Sequence, residues 1–159
     1  MKASDPPSGP AGVNGPAGLA GLAETITAVG TLPERMGIRI LEATPERVVG
    51  VMPVEGNTQP YGLLHGGASC VLAETLGSIG AALHAMRLHG GITVGVDINA
   101  THHKGVRSGN VTGVATPLKL GGSIASYEVV VSDDDGQRVC TARLTCLLRR
   151  PSRDNGASD

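Results

Sequence analysis

The hydrophobic period of this sequence changes once, at Gly90-Gly91, and that change limits the possible folds more than any other feature. Before it, apolar residues recur at helical spacing over about residues 67–88, which predicts one long helix. After it, residues alternate with a period of two in four successive segments. Their inward-facing candidates are Ile92, Val94, Val96, Ile98 and Ala100, then Val111, Gly113 and Ala115, then Tyr127, Val129 and Val131, then Cys140, Ala142, Leu144, Cys146 and Leu148.

The turns between these segments are short, as at Asp133 to Gly136, so the strands should form an antiparallel sheet with the helix on one face. Upstream, we expect a short helix near residues 22–29, strands at 37–43 and 47–54, and a loop at 56–62. The fold class is therefore α+β, with five to six strands around one helix. The Pro- and Gly-rich tails, 1–18 and 151–159, are predicted to be disordered, leaving one domain over residues 19–150.

Composition excludes several classes of partner. The chain has no Phe, no Trp, two Tyr and a net charge of -1, which argues against nucleic-acid binding. We find no apolar run long enough to span a bilayer and no secretory leader, so we expect no membrane partner and a cytoplasmic location. Three cysteines without a C-x-x-C pair indicate a reduced compartment and small buried thiols.

The long helix carries one carboxylate among small residues. In projection, one side holds the large apolar residues, and Glu74 and Ser78 lie on the other, within reach of each other. Because that second face is also small and apolar, we expect another subunit or a cavity to cover it. Glu74 is then a functional acid, a partly exposed residue at a helix edge, or a residue paired with an Arg. The large side holds Ala68, Leu72, Leu76, Ile79, Leu83 and Met86, and the small side holds Cys70, Glu74, Gly77, Ser78, Ala81 and Ala85.

The loop before this helix offers groups that suit a carbonyl substrate. Gly66 and Gly67 begin the helix, where backbone N–H groups lack acceptors and could receive an oxyanion. Gln59 and His65 add neutral polar groups, although His65 could equally be a cap or core residue.

Other catalytic motifs are missing or weak. There is no P-loop and no G-x-S-x-G elbow. Adjacent His102 and His103 should point to opposite faces of a strand, so we expect no metal site. Cys70 has apolar neighbours, which disfavours it as a nucleophile.

The spacing Gln59-x-x-Gly62-x-x-His65-Gly66-Gly67, followed by Ala73-Glu74-Thr75 and Ser78, resembles the hotdog-fold acyl-CoA thioesterases. It is most similar to the branch with Glu on the helix, which includes 4-hydroxybenzoyl-CoA and 1,4-dihydroxy-2-naphthoyl-CoA thioesterases. The likeness extends over about residues 32–149.

The resemblance implies hydrolysis of an acyl-CoA, with an aromatic acyl group, and no cofactor. Glu74 would act as nucleophile or general base, and the Gly66 N–H would polarise the carbonyl. Gln59 and His65 would orient the thioester, and Ser78 would place water or the acid. The family builds each site between two subunits, which implies a homodimer or homotetramer.

For the CoA part, the resemblance places phosphate contacts at Lys104 and near Gly122 and Ser123. Tyr61 and Tyr127 are the rings that could contact an aromatic acyl group. Two rival functions remain: a non-catalytic hotdog protein that binds acyl-CoA, and a hotdog dehydratase or hydratase, whose His-based motif we do not find.

Overall fold

One antiparallel sheet wraps around one long helix. The computed structural model describes Gly21 and residues 28–150, and residues 28–150 contain two helices and six strands. The strands lie in the order β1-β2-β4-β5-β6-β3, so that β1 and β3 are the edges. The elements are α1 (Leu32–Arg35), β1 (Arg39–Ala43), β2 (Val48–Pro53), α2 (Gly66–His89), β3 (Ile92–His102), β4 (Asn110–Leu120), β5 (Ile124–Asp133) and β6 (Arg138–Arg149).

These elements confirm the predicted order of two strands, one long helix and four strands. Helix α1 was not predicted; Thr31 caps it and Pro33 lies in its first turn, which is a favourable place for proline. The short helix expected at residues 22–29 falls almost entirely outside the described residues, and Ala28 and Val29 are not helical. Both predicted tails also lie outside them.

Helix α2 is the core of the molecule. It ends at Gly90, whose φ of 68° is the left-handed conformation that favours glycine at a helix C-terminus. By length and hydropathy its 24 residues could cross a membrane, yet 56% of the apolar window is buried inside the fold. The apolar character of α2 is therefore accounted for by the sheet that surrounds it.

The small residues of α2 are buried mainly by the sheet of the same chain. A Cβ on Gly77 would lie 2.5 Å from Leu144 Cδ2. Ala81 and Ala85 are fully buried. The expectation that another subunit or a cavity covers this side is therefore wrong for these three residues, because the curved sheet reaches around the helix. Cys70, Glu74 and Ser78 remain partly exposed.

Tyr127 belongs to the core and not to a substrate pocket. Its side chain is fully buried, its ring lies where a Cβ on Gly80 would be 2.8 Å away, and its hydroxyl donates to the Pro45 carbonyl at 2.7 Å. Burial raises the pKa of the Tyr127 phenol. The suggestion that this ring contacts an acyl group is therefore wrong.

A β-bulge divides strand β3 into two parts of opposite phase. The pairing with β6 shifts between Gly95 and Asp97, which leaves Val96 as the extra residue. Gly95 and Ile98 therefore both face α2, whereas Ile92 and Val94 point outward and are 65% and 48% exposed. The expected single alternation from Ile92 to Ala100 is wrong, because a bulge inverts the faces of the residues that precede it.

Candidate active site

The loop before α2 is held in place by its own backbone. The Gln59 N–H donates to the Leu63 carbonyl at 2.8 Å, and the His65 N–H donates to the Asn57 carbonyl at 2.9 Å. The Asn57 side chain in turn donates to two carbonyls, those of Met36 and Pro53, both at 2.9 Å. This network ties the loop to the end of β2 and to Met36, and it sets the direction in which α2 begins.

One amide at the start of α2 has no acceptor. The Gly67 N–H donates to His65 Nδ1 at 2.8 Å, and the Ala68 N–H donates to the His65 carbonyl at 2.9 Å. The Gly66 N–H makes no hydrogen bond within the part of the chain that the structure describes. It is therefore available, at the positive end of the helix dipole, to a ligand oxygen.

His65 is a helix cap. Because its Nδ1 accepts the Gly67 N–H, that nitrogen carries no proton and the ring can donate through Nε2. Gln59 is oriented in a comparable way, since its Oε1 accepts the Tyr61 N–H at 3.0 Å. Its amide nitrogen remains a possible donor to a substrate.

Gln59 and Gly66 border a cavity of about 370 Å³ at the N-terminal end of α2. His102 belongs to this cavity and was missed as a site residue from the sequence, where it was considered only as half of a metal pair. Its Nε2 lies 3.0 Å from the position that a Cβ on Gly66 would take. Lining residues that matter here are Gln59, Gly66, Ser69, His102 and Lys104.

Glu74 lies in a different, mostly apolar groove of about 380 Å³. Ser78 donates a hydrogen bond to Glu74 Oε1 at 3.2 Å. The carboxylate also rests against strand β3, because a Cβ on Gly95 would be only 2.7 Å from Oε1. No ion pair to Glu74 exists among the residues described, so the alternative of an Arg partner finds no support. The other walls are Pro33, Thr75, Ile79, Ala82 and Thr93.

The two halves of the predicted site are separated within one chain. Gly66 and Glu74 are eight residues apart on one helix, which is about 12 Å along its axis at 1.5 Å per residue. Gln59, His65 and Gly66 thus lie together at one end, and Glu74 and Ser78 lie together farther along. One thioester carbonyl cannot contact both groups of the same chain.

The predicted CoA-contacting residues are also dispersed. Lys104 pairs with Asp133 at 2.5 Å and with Gln137 at 3.4 Å. The Lys104 ammonium, together with backbone N–H donors, lowers the pKa of Asp133. Gly122 and Ser123 lie in the β4–β5 turn, which His84 of α2 contacts through the Gly121 carbonyl. His84 is 18 residues beyond Gly66, or about 27 Å along the helix, so Lys104 and Ser123 lie at opposite ends of it.

Tyr61 lies on the loop and is 82% exposed, away from the Glu74 groove. Cys140 and Cys146 are buried, and burial raises the pKa of the Cys140 thiol to about 11 and that of Cys146 above its usual value. Cys70 is half-buried. Within residues 28–150, no group of three His, Cys, Asp or Glu side chains is arranged to hold a metal ion.

Two sequence comparisons relate this chain to thioesterases. A family model described as the thioesterase superfamily matches residues 61–140. The proofreading thioesterase EntH of Cronobacter turicensis is 46% identical over 123 residues, which cover 77% of this chain and 88% of that protein.

Solved structures of thioesterases also superpose on this fold. The thioesterase HI1161 of Haemophilus influenzae superposes with a TM-score of 0.77 at 34% identity, over 86% of this chain and 94% of that one. A mutant of thioesterase PA1618 of Pseudomonas aeruginosa superposes with a TM-score of 0.75 at 38% identity, over 82% of this chain and 92% of that one. The chain therefore belongs to the thioesterase superfamily, has its hotdog fold, and is a thioester hydrolase.

Proposed function

We propose that this protein hydrolyses the thioester of an aromatic acyl-CoA, with Glu74 as nucleophile or general base. The observation that carries the proposal is the Glu74 carboxylate, which lies at an apolar groove and is held by the Ser78 hydroxyl at 3.2 Å. Hydrolysis requires an attacking or activating oxygen beside the acyl group, and Glu74 places such an oxygen at a mostly apolar groove. An acyl-CoA-binding protein without activity would not need a carboxylate there.

The developing negative charge needs a donor on the other side of the carbonyl. The Gly66 N–H suits that role because it lacks an acceptor and lies at a helix N-terminus. Gln59 and His65 border the same end of the helix, where their remaining N–H groups can orient the thioester.

Two copies of the chain are needed to bring these groups together. Strand β3 is an edge strand, with Val96 65% and Ile98 36% exposed. An edge of this kind can pair with a second copy of itself. If a two-fold axis passes between Ile98 and Asn99 of an antiparallel β3–β3 pair, Gly95 of one copy lies opposite His102 of the other.

That register has a direct consequence for the site. Gly95 contacts Glu74, and His102 contacts Gly66. The two-fold pairing therefore brings Glu74 of one copy towards Gly66 of its partner, twice per dimer. We propose a homodimer as the smallest active unit, in agreement with the family resemblance.

The groove beside Glu74 is the proposed acyl site. Ile79, Ala82 and Pro33 give it apolar walls, and it is large enough for a single aromatic ring. An aromatic acyl group would pack against these aliphatic surfaces, since neither Tyr61 nor Tyr127 reaches the groove. This choice also follows from the resemblance to the Glu-type aromatic branch.

CoA would enter along the cavity at the start of α2, where Lys104 can meet a phosphate if it exchanges its Asp133 partner. Gly122 and Ser123 are about 27 Å from that cavity along α2. They would therefore contact a bound CoA only from another copy of the chain.

The test is Glu74→Gln, assayed by thiol release over a panel of benzoyl-, hexanoyl- and palmitoyl-CoA. General-base roles are worth about 10²–10⁴-fold in rate, so we expect kcat on the best substrate to fall at least about a hundredfold. Glu55→Gln, the same substitution at an exposed position, is the matched control and should leave the rate unchanged.

Four outcomes are informative. A benzoyl preference supports the aromatic acyl group, and a preference for palmitoyl-CoA contradicts it. Glu74→Gln protein that keeps a rate within a few-fold of the parent shows that Glu74 is structural. Tight acyl-CoA binding without turnover by the parent would support the binding protein instead.

A further inference from the structure

His102 is the last residue of β3, and its ring points at the start of α2. It pairs with Cys140 of β6, a buried residue, so its side chain lies on the helix side of the sheet. His102 is seven positions after Gly95, and in a regular strand an odd number of positions would place the two on opposite faces. The bulge at Val96 turns both towards α2.

The ring meets Gly66 through its Nε2 edge. A Cβ on Gly66 would be 3.0 Å from Nε2 and 3.4 Å from each of the two neighbouring ring carbons, so the nitrogen is the nearest atom. A glycine at position 66 leaves the space between them open. The ring itself is exposed at the mouth of the cavity that Gln59 also lines.

Neither ring nitrogen of His102 has a hydrogen-bond partner in the described part of the chain. By contrast, His65 Nδ1 accepts the Gly67 N–H, and His103 Nε2 bonds the Thr141 hydroxyl at 2.9 Å. The neighbouring Lys104 ammonium is held by Asp133 and Gln137. His102 is therefore the side chain of this segment with an uncommitted polar atom at the helix N-terminus.

One oxygen atom can bond both free donors. Since a residue's N and Cβ are about 2.5 Å apart, Gly66 N and His102 Nε2 are at most about 5.5 Å apart. Two N–H···O bonds of about 2.9 Å can span that separation. We propose that His102 is a catalytic residue, the second hydrogen-bond donor to the thioester carbonyl oxygen beside the Gly66 N–H.

This inference rests on the proposed thioesterase site and adds a donor to it. The ring keeps its proton throughout: it stabilises the oxygen as charge develops there, and releases it when the carbonyl re-forms and the C–S bond breaks. A ring with its proton on Nε2 is a hydrogen-bond donor to the carbonyl oxygen.

Two substitutions separate donation from size. His102→Leu removes the donor, and His102→Gln keeps an N–H near the same place. Loss of one oxyanion donor costs about 10²–10³-fold in kcat, so we expect that loss in His102→Leu with KM changed only a few-fold, and substantial recovery in His102→Gln. His103→Leu is the control at the adjacent position and should not reproduce this pattern.

A spectroscopic measurement tests the contact itself. An acyl-CoA with a ¹³C-labelled carbonyl is bound to Glu74→Gln protein, and the C=O stretch is recorded by difference infrared spectroscopy. We expect the band to move to higher frequency when His102→Leu is added and to stay in place with His102→Gln. Thermal melting of each variant checks that it is folded.

The proposal is overturned if His102→Leu keeps kcat within a few-fold of the parent, or if the carbonyl band is the same with and without it. It is also overturned if His102→Leu and His102→Gln lower kcat by the same factor while the C=O band keeps its frequency. A parent protein that hydrolyses no thioester overturns the proposed function, and this inference with it; the other outcomes overturn the inference alone.

Discussion

Single residues in this protein have roles set by their contacts more than by their type. His65, His102 and His103 are all histidines near the start of α2, yet one caps the helix, one has no partner in the described chain, and one bonds Thr141. Likewise, Gly95 matters because a side chain there would collide with Glu74 Oε1, 2.7 Å from its Cβ position. The hydrogen-bonding partners and close neighbours of each residue therefore decide what it can contribute to the site.

Asp133 gives a pH-dependent contribution to stability. Its pKa lies below the ordinary 3.8, mainly through the Lys104 hydrogen bond. When a carboxyl group has a lower pKa in the folded state than in the unfolded state, it stabilises the fold fully at pH values above the unfolded-state pKa. This contribution is lost as pH falls through the folded-state pKa. We therefore expect Asp133→Asn to lower the urea midpoint between about pH 5 and 8, with the difference shrinking below about pH 4.

The control for this measurement is Asp135→Asn, an exposed position in the same turn. A midpoint difference for Asp133→Asn that is equal at pH 7 and pH 3 would contradict the ion pair's role.

Among the secondary-structure elements, helix α2 contributes both to the candidate site and to the core. Its N-terminus presents the unpaired Gly66 N–H, and its middle carries Glu74 and Ser78 at the groove. The sheet packs closely against its other side, where a Cβ on Gly77 would lie 2.5 Å from Leu144 Cδ2. The helix is thus both the core and the support of the site.

Gly66→Pro tests the helix N-terminus directly. Proline lacks the N–H but is favoured at the first helical position, and His65, with ψ of 130°, has the extended conformation required before it. We expect a loss of about 10²–10³-fold in kcat with melting temperature nearly unchanged. Gly66→Ala is the matched control, since it adds the same Cβ against His102 but keeps the N–H. If both variants keep a rate within a few-fold of the parent, the amide is not the oxyanion donor.

Gly77→Ala tests the packing of α2 on the sheet. Helix propensity alone would make alanine more stable by about 1 kcal/mol. Because its Cβ would lie 2.5 Å from Leu144 Cδ2, we expect an overpacking cost of about 1–3 kcal/mol to exceed this gain, so that the free energy of unfolding falls by up to about 2 kcal/mol. Urea denaturation measures the sign of this change in the free energy of unfolding. A variant more stable than the parent would show that Leu144 and the sheet can move to accommodate the added methyl group.

The whole molecule, as proposed, is active only as a dimer. The reason is the distance of about 12 Å along α2 between Gly66 and Glu74, which one thioester cannot bridge. Pairing of the β3 edges would also cover the exposed Val96 and Ile98.

Subunit complementation tests this arrangement. Gly66→Pro and Glu74→Gln chains should each be nearly inactive alone. After mixing and refolding, half of the dimers should be hybrids with one intact site of two, giving about one quarter of the parental rate. If both groups act within one chain, no hybrid has an intact site and the mixture stays inactive. Parent protein refolded in the same way controls for the yield.

Local patterns in the sequence predict the order of elements, the position of α2 and the grouping of Gln59, His65 and Gly66 before Glu74, because these depend on periodicity, turn residues and spacing along the chain. Other features arise only when the strands pair and the sheet packs on the helix. The bulge at Val96 has no local signature, yet it sets which β3 residues face the helix. The burial of Gly77 and Tyr127 depends on how far the sheet curves, and the place of His102 depends on strand pairing with Cys140. Such contacts join residues distant in sequence, whose packing no local pattern records.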